Sequence, residues 1–184
     1  MRRLVLVLCL SSLLAGCMSL QTPKLEKLWQ GRFALSVQSA TLEDHQSGHF
    51  QLSHTPNVLT VLDLKSALGN TLARIEQGQD YAQVQAVGIE TVRAQDAQDL
   101  MKSTLGFSVP ITGLEYWLDG QIAPSSEAKT VPGKAPYQTI LQDGWTITYL
   151  AYANGYPSRL RLMRAQTPYN PAISMTIVIN SRRP

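Results

Sequence analysis

Apolar and polar residues alternate with a period of two along much of this chain. After Gly31, the apolar residues Phe33, Leu35 and Val37 alternate with polar or small neighbours. Similar patterns, separated by turn residues such as Gly78, predict strands at residues 49–54, 57–64, 71–77, 81–87 and 89–94. Closely spaced strands with short turns favour an antiparallel meander.

Alternation returns in the last third of the chain. Apolar residues recur at every second position in three runs, which contain Trp145, Ile147 and Tyr149, then Leu160 and Leu162, then Ile173, Met175, Ile177 and Ile179. Residues 123–136 are rich in Pro, Ser, Lys and Ala, which predicts an exposed loop ahead of these strands. Near the start, Leu25, Leu28 and Trp29 suggest a short helical turn.

A helical pattern interrupts the strands in the middle of the chain. Asp96 is a predicted N-cap, and Leu100, Met101 and Leu105 share one helical face. Gly106 is suited to end this helix in the left-handed conformation.

A second short helix follows Pro110. Thr112 and Glu115 have the spacing of a capping box, and Leu114, Trp117 and Leu118 form an apolar stripe. Strands on both sides of a helical insert predict one curved antiparallel sheet with helices packed on it.

The first residues have the pattern of an exported lipoprotein. Arg2 and Arg3 precede an apolar run, residues 4–14, that is too short to span a bilayer, and Ala15-Gly16-Cys17 follows as a lipobox. We predict a signal peptide at residues 1–16, lipidation of Cys17 and a tether at residues 17–24 before a domain at residues 25–184. The alternative is an ordinary signal peptide with a chance cysteine.

Composition argues against several classes of function. The net charge of +3 falls to +1 without Arg2 and Arg3. This small charge argues against nucleic-acid binding, because such domains usually carry a concentrated basic patch. Beyond Cys17 there is no thiol, and motifs for hydrolases, metalloproteases and nucleotide binding are missing. His45, His49 and His54 are interpreted as separate surface residues, and Glu115 as a capping residue. We therefore expect no enzyme, metal or cofactor.

Three stretches resemble the LolB family. Residues 62–69 are similar to the family's apolar strand and Pro-Leu-Gly loop, although Ala67 stands where Pro is common. Residues 96–120 resemble its paired helices, and residues 144–162 its late strands. The resemblance implies a mostly β fold with some α structure. This is an open, incomplete antiparallel β-barrel with short helices forming a lid over a hydrophobic cavity.

The resemblance also implies a function. The family accepts lipoproteins from the periplasmic carrier LolA, binds their acyl chains in the cavity and inserts them into the outer membrane without ATP. The expected partners are LolA, acylated lipoprotein cargo and outer-membrane phospholipids, with no nucleic acid, and a monomer is expected. Met18, in place of Asp, favours the outer membrane, where the domain would face the periplasm of a Gram-negative bacterium.

Site residues follow from the resemblance and the apolar pattern. Leu68 corresponds to a leucine on a protruding loop that assists membrane insertion, and the alternative is that it folds back onto the core. Candidates for the acyl cavity or its lid are Trp117, Leu114, Leu118, Met101, Trp145 and Ile177. Trp117 is equally suited to anchor its helix in the core, and methionines commonly fill cores.

Two other classes of protein remain. One is a structural or assembly lipoprotein of the outer membrane, with a packed core and a protein-binding surface. The other is a tethered lipid or cell-wall hydrolase, for which the chain offers no recognisable nucleophile and base.

Overall fold

The computed structural model describes residues 27–41, 43–134 and 137–183. The predicted signal peptide, Cys17 and the tether lie outside these residues, so their assignments stay predictions. Within the described ranges, no helix has the length and apolar character needed to cross a membrane.

The described residues form eleven strands and two helices. Before the helices come β1 (Lys27–Gln38), β2 (Glu43–Thr55), β3 (Leu59–Ser66), β4 (Thr71–Gly78), β5 (Ala82–Ala86) and β6 (Ile89–Ala94). The helices are α1 (Ala97–Leu105) and α2 (Ile111–Leu118). After them come β7 (Ala128–Pro132), β8 (Gln138–Gln142), β9 (Trp145–Ala153), β10 (Tyr156–Arg164) and β11 (Ala172–Arg183).

All eleven strands belong to one antiparallel sheet. Its order is β6-β5-β4-β3-β2-β1-β11-β10-β9-β8-β7. Strands β1 to β6 and strands β7 to β11 each form a meander, and β1 joins the two halves by pairing with β11. The edge strands β6 and β7 do not pair with each other in the described residues, and the segment that connects them carries both helices. This architecture confirms the predicted open antiparallel sheet with short helices.

The period-two pattern explains which face of the sheet is buried. Phe33, Leu35 and Val37 of β1 are buried, whereas their neighbours Arg32 and Ala34 are exposed. The inward residues of the other long strands join the same apolar core, together with one face of each helix. Such a one-sided pattern is typical of an antiparallel sheet with one solvated face.

Two local predictions were wrong. Leu28 and Trp29 belong to β1 and not to a helical turn, because this end of the strand pairs with both β2 and β11. The predicted loop at residues 123–136 contains β7, an edge strand on β8, and Ala123 is buried. In β1, pairing with β2 and with the distant β11 overrides the local composition, and in β7 pairing with the next strand, β8, does so.

The predicted ends of α1 are confirmed, but the capping box of α2 is wrong. The Asp96 side chain accepts hydrogen bonds from the backbone N–H groups of Gln98 and Asp99, and Gly106 ends α1 with a φ of 79°. In α2 the N-cap is Pro110, which provides no side-chain cap. Glu115 instead faces the sheet, where it contacts His54.

Gly31 is required where β1 crosses a bulge against β11. A Cβ at this position would lie 1.9 Å from the Val178 carbonyl oxygen and 2.9 Å from the Phe50 ring. We expect Gly31→Ala to lower the free energy of unfolding by about 1–3 kcal/mol, because a packed backbone cannot yield without strain. Urea denaturation measures this loss, with Ala34→Ser on the exposed face of β1 as the control. A wild-type midpoint for Gly31→Ala would contradict the required close approach.

Candidate functional site

An apolar cavity lies between the inward face of the sheet and the two helices. Twelve side chains line it, and all of them are apolar: Phe33, Leu35, Phe50, Leu62, Leu64, Met101, Leu105, Phe107, Val109, Leu114, Met175 and Ile177. The centre of a water molecule can occupy only about 30 Å³ of this space. That volume is equivalent to roughly two waters, so the cavity is nearly closed in this conformation.

Four neighbouring strands and the helical segment build the cavity. β1, β2, β3 and β11 provide the floor through inward residues that face one another across the sheet, such as Phe33 opposite Ile177 and Leu35 opposite Met175. α1, α2 and the segment between them provide the other wall. The floor is therefore held by strand pairing, whereas the opposite wall is a short helical insert.

Three of the predicted cavity residues line this space. Met101 lies on α1, Leu114 on α2 and Ile177 on β11, and all three are buried. The alternating pattern identified inward residues but did not show which of them border a gap. Phe33, Phe50 and the rest of the lining were therefore missed, although their spacing placed Phe33 on the inward face.

The other three candidates are buried in the same core but are not among the cavity's lining residues. Trp117 is held by two hydrogen bonds, since its Nε1 donates to Gln142 Oε1 at 2.9 Å and its carbonyl accepts from Tyr149 Oη at 3.0 Å. Its ring lies 6.3 Å from that of Trp145. Leu118 is fully buried beside them. Trp117 therefore anchors α2 to β8 and β9.

Asp119, at the C-terminal end of α2, ties the helix to the strands β1 and β11. Its carboxylate accepts from Trp29 Nε1 at 2.9 Å and from Lys27 Nζ at 3.2 Å, and it also pairs with Arg182. The Arg182 guanidinium in turn lies over the ring of Tyr156, 3.7 Å from its centroid. Sequence reasoning missed this cluster because the partners of Asp119 lie between 63 and 92 residues from it in the chain.

A second polar contact holds the middle of α2 against β2. The Oε2 atom of Glu115 lies 2.7 Å from Nδ1 of His54, and that nitrogen also lies 2.9 Å from Thr60 Oγ1. Glu115 is buried and His54 is partly buried, so the interpretation of His54 as a separate surface residue was wrong. A buried carboxylate on an apolar helix face is costly unless it is paired.

Stability is expected to depend on pH through Glu115. Burial raises the pKa of this carboxyl to about 7; Lys27 opposes the shift, and Asp119 adds to it. Between pH 4.5, the ordinary pKa, and about 7, the folded chain keeps a proton that the unfolded chain has released. The free energy of unfolding therefore falls as pH rises through this interval and levels off above it.

Replacement of Glu115 isolates this effect. As pH rises through this interval, we expect the free energy of unfolding of Glu115→Gln to fall by about 1 kcal/mol less than that of the wild type. This figure is reduced for partial solvent screening. Urea denaturation across the pH series measures it, and Glu127→Gln, at an exposed carboxylate, is the matched control. Identical pH profiles for Glu115→Gln and wild type would contradict the assignment.

Leu68 lies in the turn between β3 and β4 and is 90% exposed. The turn is closed by its backbone, since Ser66 N–H donates to the Asn70 carbonyl at 2.8 Å and Gly69 N–H to the Ser66 carbonyl at 2.9 Å. Gly69 has a φ of 87°, which a residue without a Cβ adopts readily. The side chain of Leu68 therefore has no part in closing the turn, and the alternative that it folds back onto the core is wrong.

Comparisons with known proteins identify the family. The family model described as "Outer membrane lipoprotein LolB" matches residues 27–181. A relative named outer-membrane lipoprotein LolB from Thiobacillus denitrificans is 33% identical over 90% of this chain and 92% of its own length. Another, from Ralstonia nicotianae, is 32% identical over 75% of this chain and 70% of its own. A solved LolA superfamily protein from Nitrosomonas europaea matches 86% of both chains, with 8% identity and a TM-score of 0.45. The chain belongs to the LolB family of outer-membrane lipoproteins.

Proposed function

We propose that this outer-membrane lipoprotein is a receptor for other lipoproteins. It takes their acyl chains from the periplasmic carrier LolA into the cavity under α1 and α2, and then inserts them into the outer membrane. The observation that carries the proposal is the cavity itself, which has an entirely apolar lining and one wall formed by a short helical insert.

The lining suits acyl chains and little else. Each methylene group removed from water contributes about 0.8 kcal/mol, so a buried chain is held without directional bonds. A site of this kind recognises any cargo that carries the lipid, whatever the protein attached to it. Met101 and Met175 add side chains that adapt to irregular shapes.

The cavity must enlarge before it takes a chain. Ligand sites usually offer roughly 300 Å³ or more, about ten times the present space. Because β1, β2, β3 and β11 are bonded to one another, enlargement comes from displacement of α1 and α2. The closed state hides the apolar lining from water while the receptor is empty, which limits non-specific association.

Polar contacts make α2 harder to displace than α1. The Glu115–His54 contact, the hydrogen bonds of Trp117 and the Asp119 cluster hold α2. In contrast, α1 packs on β4, β5 and β6 with one hydrogen bond to β4, from Ala97 N–H to Gln77 Oε1. We infer that α1 and the segment that follows it, which includes Phe107, move first while α2 stays attached. Transfer then needs no nucleotide, provided that the opened receptor binds the chains more favourably than the carrier does; a difference of about 1.4 kcal/mol gives a tenfold bias.

A transfer assay tests the proposal. The chain from residue 17 with Cys17→Ala, which keeps all of residues 27–183, is mixed with LolA carrying one acylated lipoprotein, in the absence of nucleotide. We expect the lipoprotein to move onto the receptor. The same lipoprotein without acyl chains, offered directly to the receptor, is the control and is expected not to bind.

Retention of the cargo on the carrier, with the receptor shown to be folded by circular dichroism, would contradict the proposal. It would favour a structural or assembly lipoprotein whose closed cavity is simply part of a packed core. Binding of the non-acylated cargo would also contradict it, because recognition would then depend on the protein and not on the lipid.

A further inference from the structure

A row of basic side chains crosses the outer face of the sheet. Strand register places Lys65 of β3 opposite His49 of β2, and His49 opposite Arg32 of β1. Arg32 faces Val178 of β11, which faces Arg159 of β10. Directly paired residues of an antiparallel sheet point to the same side, so these side chains share one surface. Lys65, His49, Arg32 and Arg159 are exposed. We call them the cationic row.

A groove follows the row and reaches the base of the Leu68 turn. Arg32, His49 and Arg159 line it, together with Ala67, the residue before Leu68. Its space for water centres, about 480 Å³, is many times that of the closed apolar cavity. The groove is shallow and open to solvent, so it suits groups presented by a surface better than a small enclosed ligand.

The charged side chains of the row differ from Lys27, Arg74 and Arg182 of the same sheet, which pair with carboxylates. Lys27 and Arg182 pair with Asp119, and the Arg74 Nη1 atom donates to both carboxylate oxygens of Asp63 at 2.8 and 2.9 Å. In contrast, neither Lys65 nor the two arginines of the row has an ion pair among the described residues.

The carboxylates on this face do not neutralise the row. Asp63, two residues from Lys65 on β3, is already bound by Arg74. Glu43 contacts His45 and lies six residues from His49 along β2. The row therefore presents three uncompensated positive charges, and each lies two strand steps, or about 10 Å, from the next.

We propose that the cationic row binds the phosphate groups of the membrane surface and orients the receptor so that the Leu68 turn enters the bilayer. Lys65 precedes Leu68 by three residues, so the two lie at most about 10 Å apart along the chain. An apolar tip at that distance from a cationic belt matches the depth from headgroups to acyl chains, about 5–10 Å. This proposal depends on the proposed function for one point only, which is that the receptor delivers its cargo to a membrane.

The length of chain before β1 is compatible with this orientation. From Lys27 to Arg32 the strand covers about 17 Å. Ten residues separate Cys17 from Lys27, and ten residues reach at most about 36 Å when fully extended. A lipid anchor at Cys17 therefore reaches the same bilayer that the row contacts.

Vesicle binding without cargo tests the proposal. The chain from residue 17 with Cys17→Ala is compared with the same chain carrying Arg32→Gln, Lys65→Gln and Arg159→Gln. The vesicles contain phosphatidylethanolamine with phosphatidylglycerol, and partitioning is measured by co-sedimentation. Each cation near an anionic surface changes partitioning about fivefold, so we expect a loss of about 100-fold. Added salt should weaken wild-type binding and narrow this difference.

A matched control removes the same charge elsewhere. Lys102→Gln, Lys129→Gln and Lys134→Gln change three exposed lysines on α1, β7 and the loop after β7. We expect this variant to bind vesicles as the wild type does. Equal losses in the two triple variants would overturn the proposal, because binding would then follow net charge and not the row.

Two further arms separate this proposal from others. Calorimetry with inorganic phosphate alone is expected to show no saturable binding; tight binding that disappears in the row variant would indicate a small-anion site and overturn the proposal.

Uptake of acylated cargo from LolA is expected to be unchanged in the row variant. Loss of uptake in the row variant would identify the row as a carrier-docking surface and would overturn membrane docking. Failure of uptake in the wild type would refute the proposed function while leaving the vesicle result interpretable.

Discussion

Leu68→Glu is expected to separate cargo uptake from delivery. The side chain is 90% exposed, and the turn that carries it is held by backbone hydrogen bonds. The substitution therefore leaves the fold and the cavity intact. A leucine side chain gains about 1.5–3 kcal/mol when it leaves water for an apolar phase, and a carboxylate forfeits this gain and resists burial. Transfer of bound lipoprotein into vesicles should slow at least about tenfold.

Two measurements check this result. Uptake of acylated lipoprotein from LolA should match the wild type, and appearance of the lipoprotein in sedimented vesicles should be slow. Val58→Glu is the matched control, because Val58 is an exposed apolar residue in the turn at the other end of β3. Normal delivery by Leu68→Glu, or an equal defect in Val58→Glu, would contradict a role for this turn in insertion.

The strands could be predicted from sequence because their signal is local. Alternation in β1 marked Phe33, Leu35 and Val37 as inward residues, and Asp96 and Gly106 marked the ends of α1 through groups that bond within a few residues. The exposure of Leu68 was predicted on a different ground, namely the resemblance of residues 62–69 to the Pro-Leu-Gly loop of the LolB family.

The contacts of α2 could not be predicted, since they join distant parts of the chain. The spacing of Thr112 and Glu115 indicated a capping box, but the buried Glu115 finds a partner in His54 on β2. Asp119 likewise bonds Trp29, which the local pattern had assigned to a helical turn. A spacing rule describes what a side chain can do locally, whereas burial against another element decides what it does.

The cavity illustrates the same limit. Periodicity identified Met101, Leu114 and Ile177 as inward residues, but it also identified Trp117, Leu118 and Trp145, which pack without leaving a gap. A gap remains where the side chains of facing elements do not fill the space between them, and the fold decides which side chains face one another. The lining residues could therefore be found only from the three-dimensional arrangement.

Leu105→Glu is expected to abolish uptake and so to complement the delivery defect of Leu68→Glu. Leu105 ends α1 and lines the cavity, yet it is only partly buried, so a carboxylate there remains solvated while the receptor is empty. When an acyl chain displaces water from the cavity, that carboxylate loses its hydration without gaining a partner. A cost of a few kcal/mol per desolvated charge predicts at least a 100-fold loss of affinity for acylated cargo.

Thr104→Glu provides the matched control for this variant. It adds the same charge one residue earlier on α1, near the same negative end of the helix dipole, but outside the cavity lining. Affinity for acylated lipoprotein is measured by transfer from LolA, and urea denaturation shows whether either variant has lost stability. Equal losses of affinity in both variants, or normal uptake by Leu105→Glu, would argue that acyl chains do not enter this cavity.

If uptake fails only in Leu105→Glu and delivery only in Leu68→Glu, then binding and insertion are separate steps carried out at different places on one sheet. The closed cavity then holds the lipid while the exposed turn releases it.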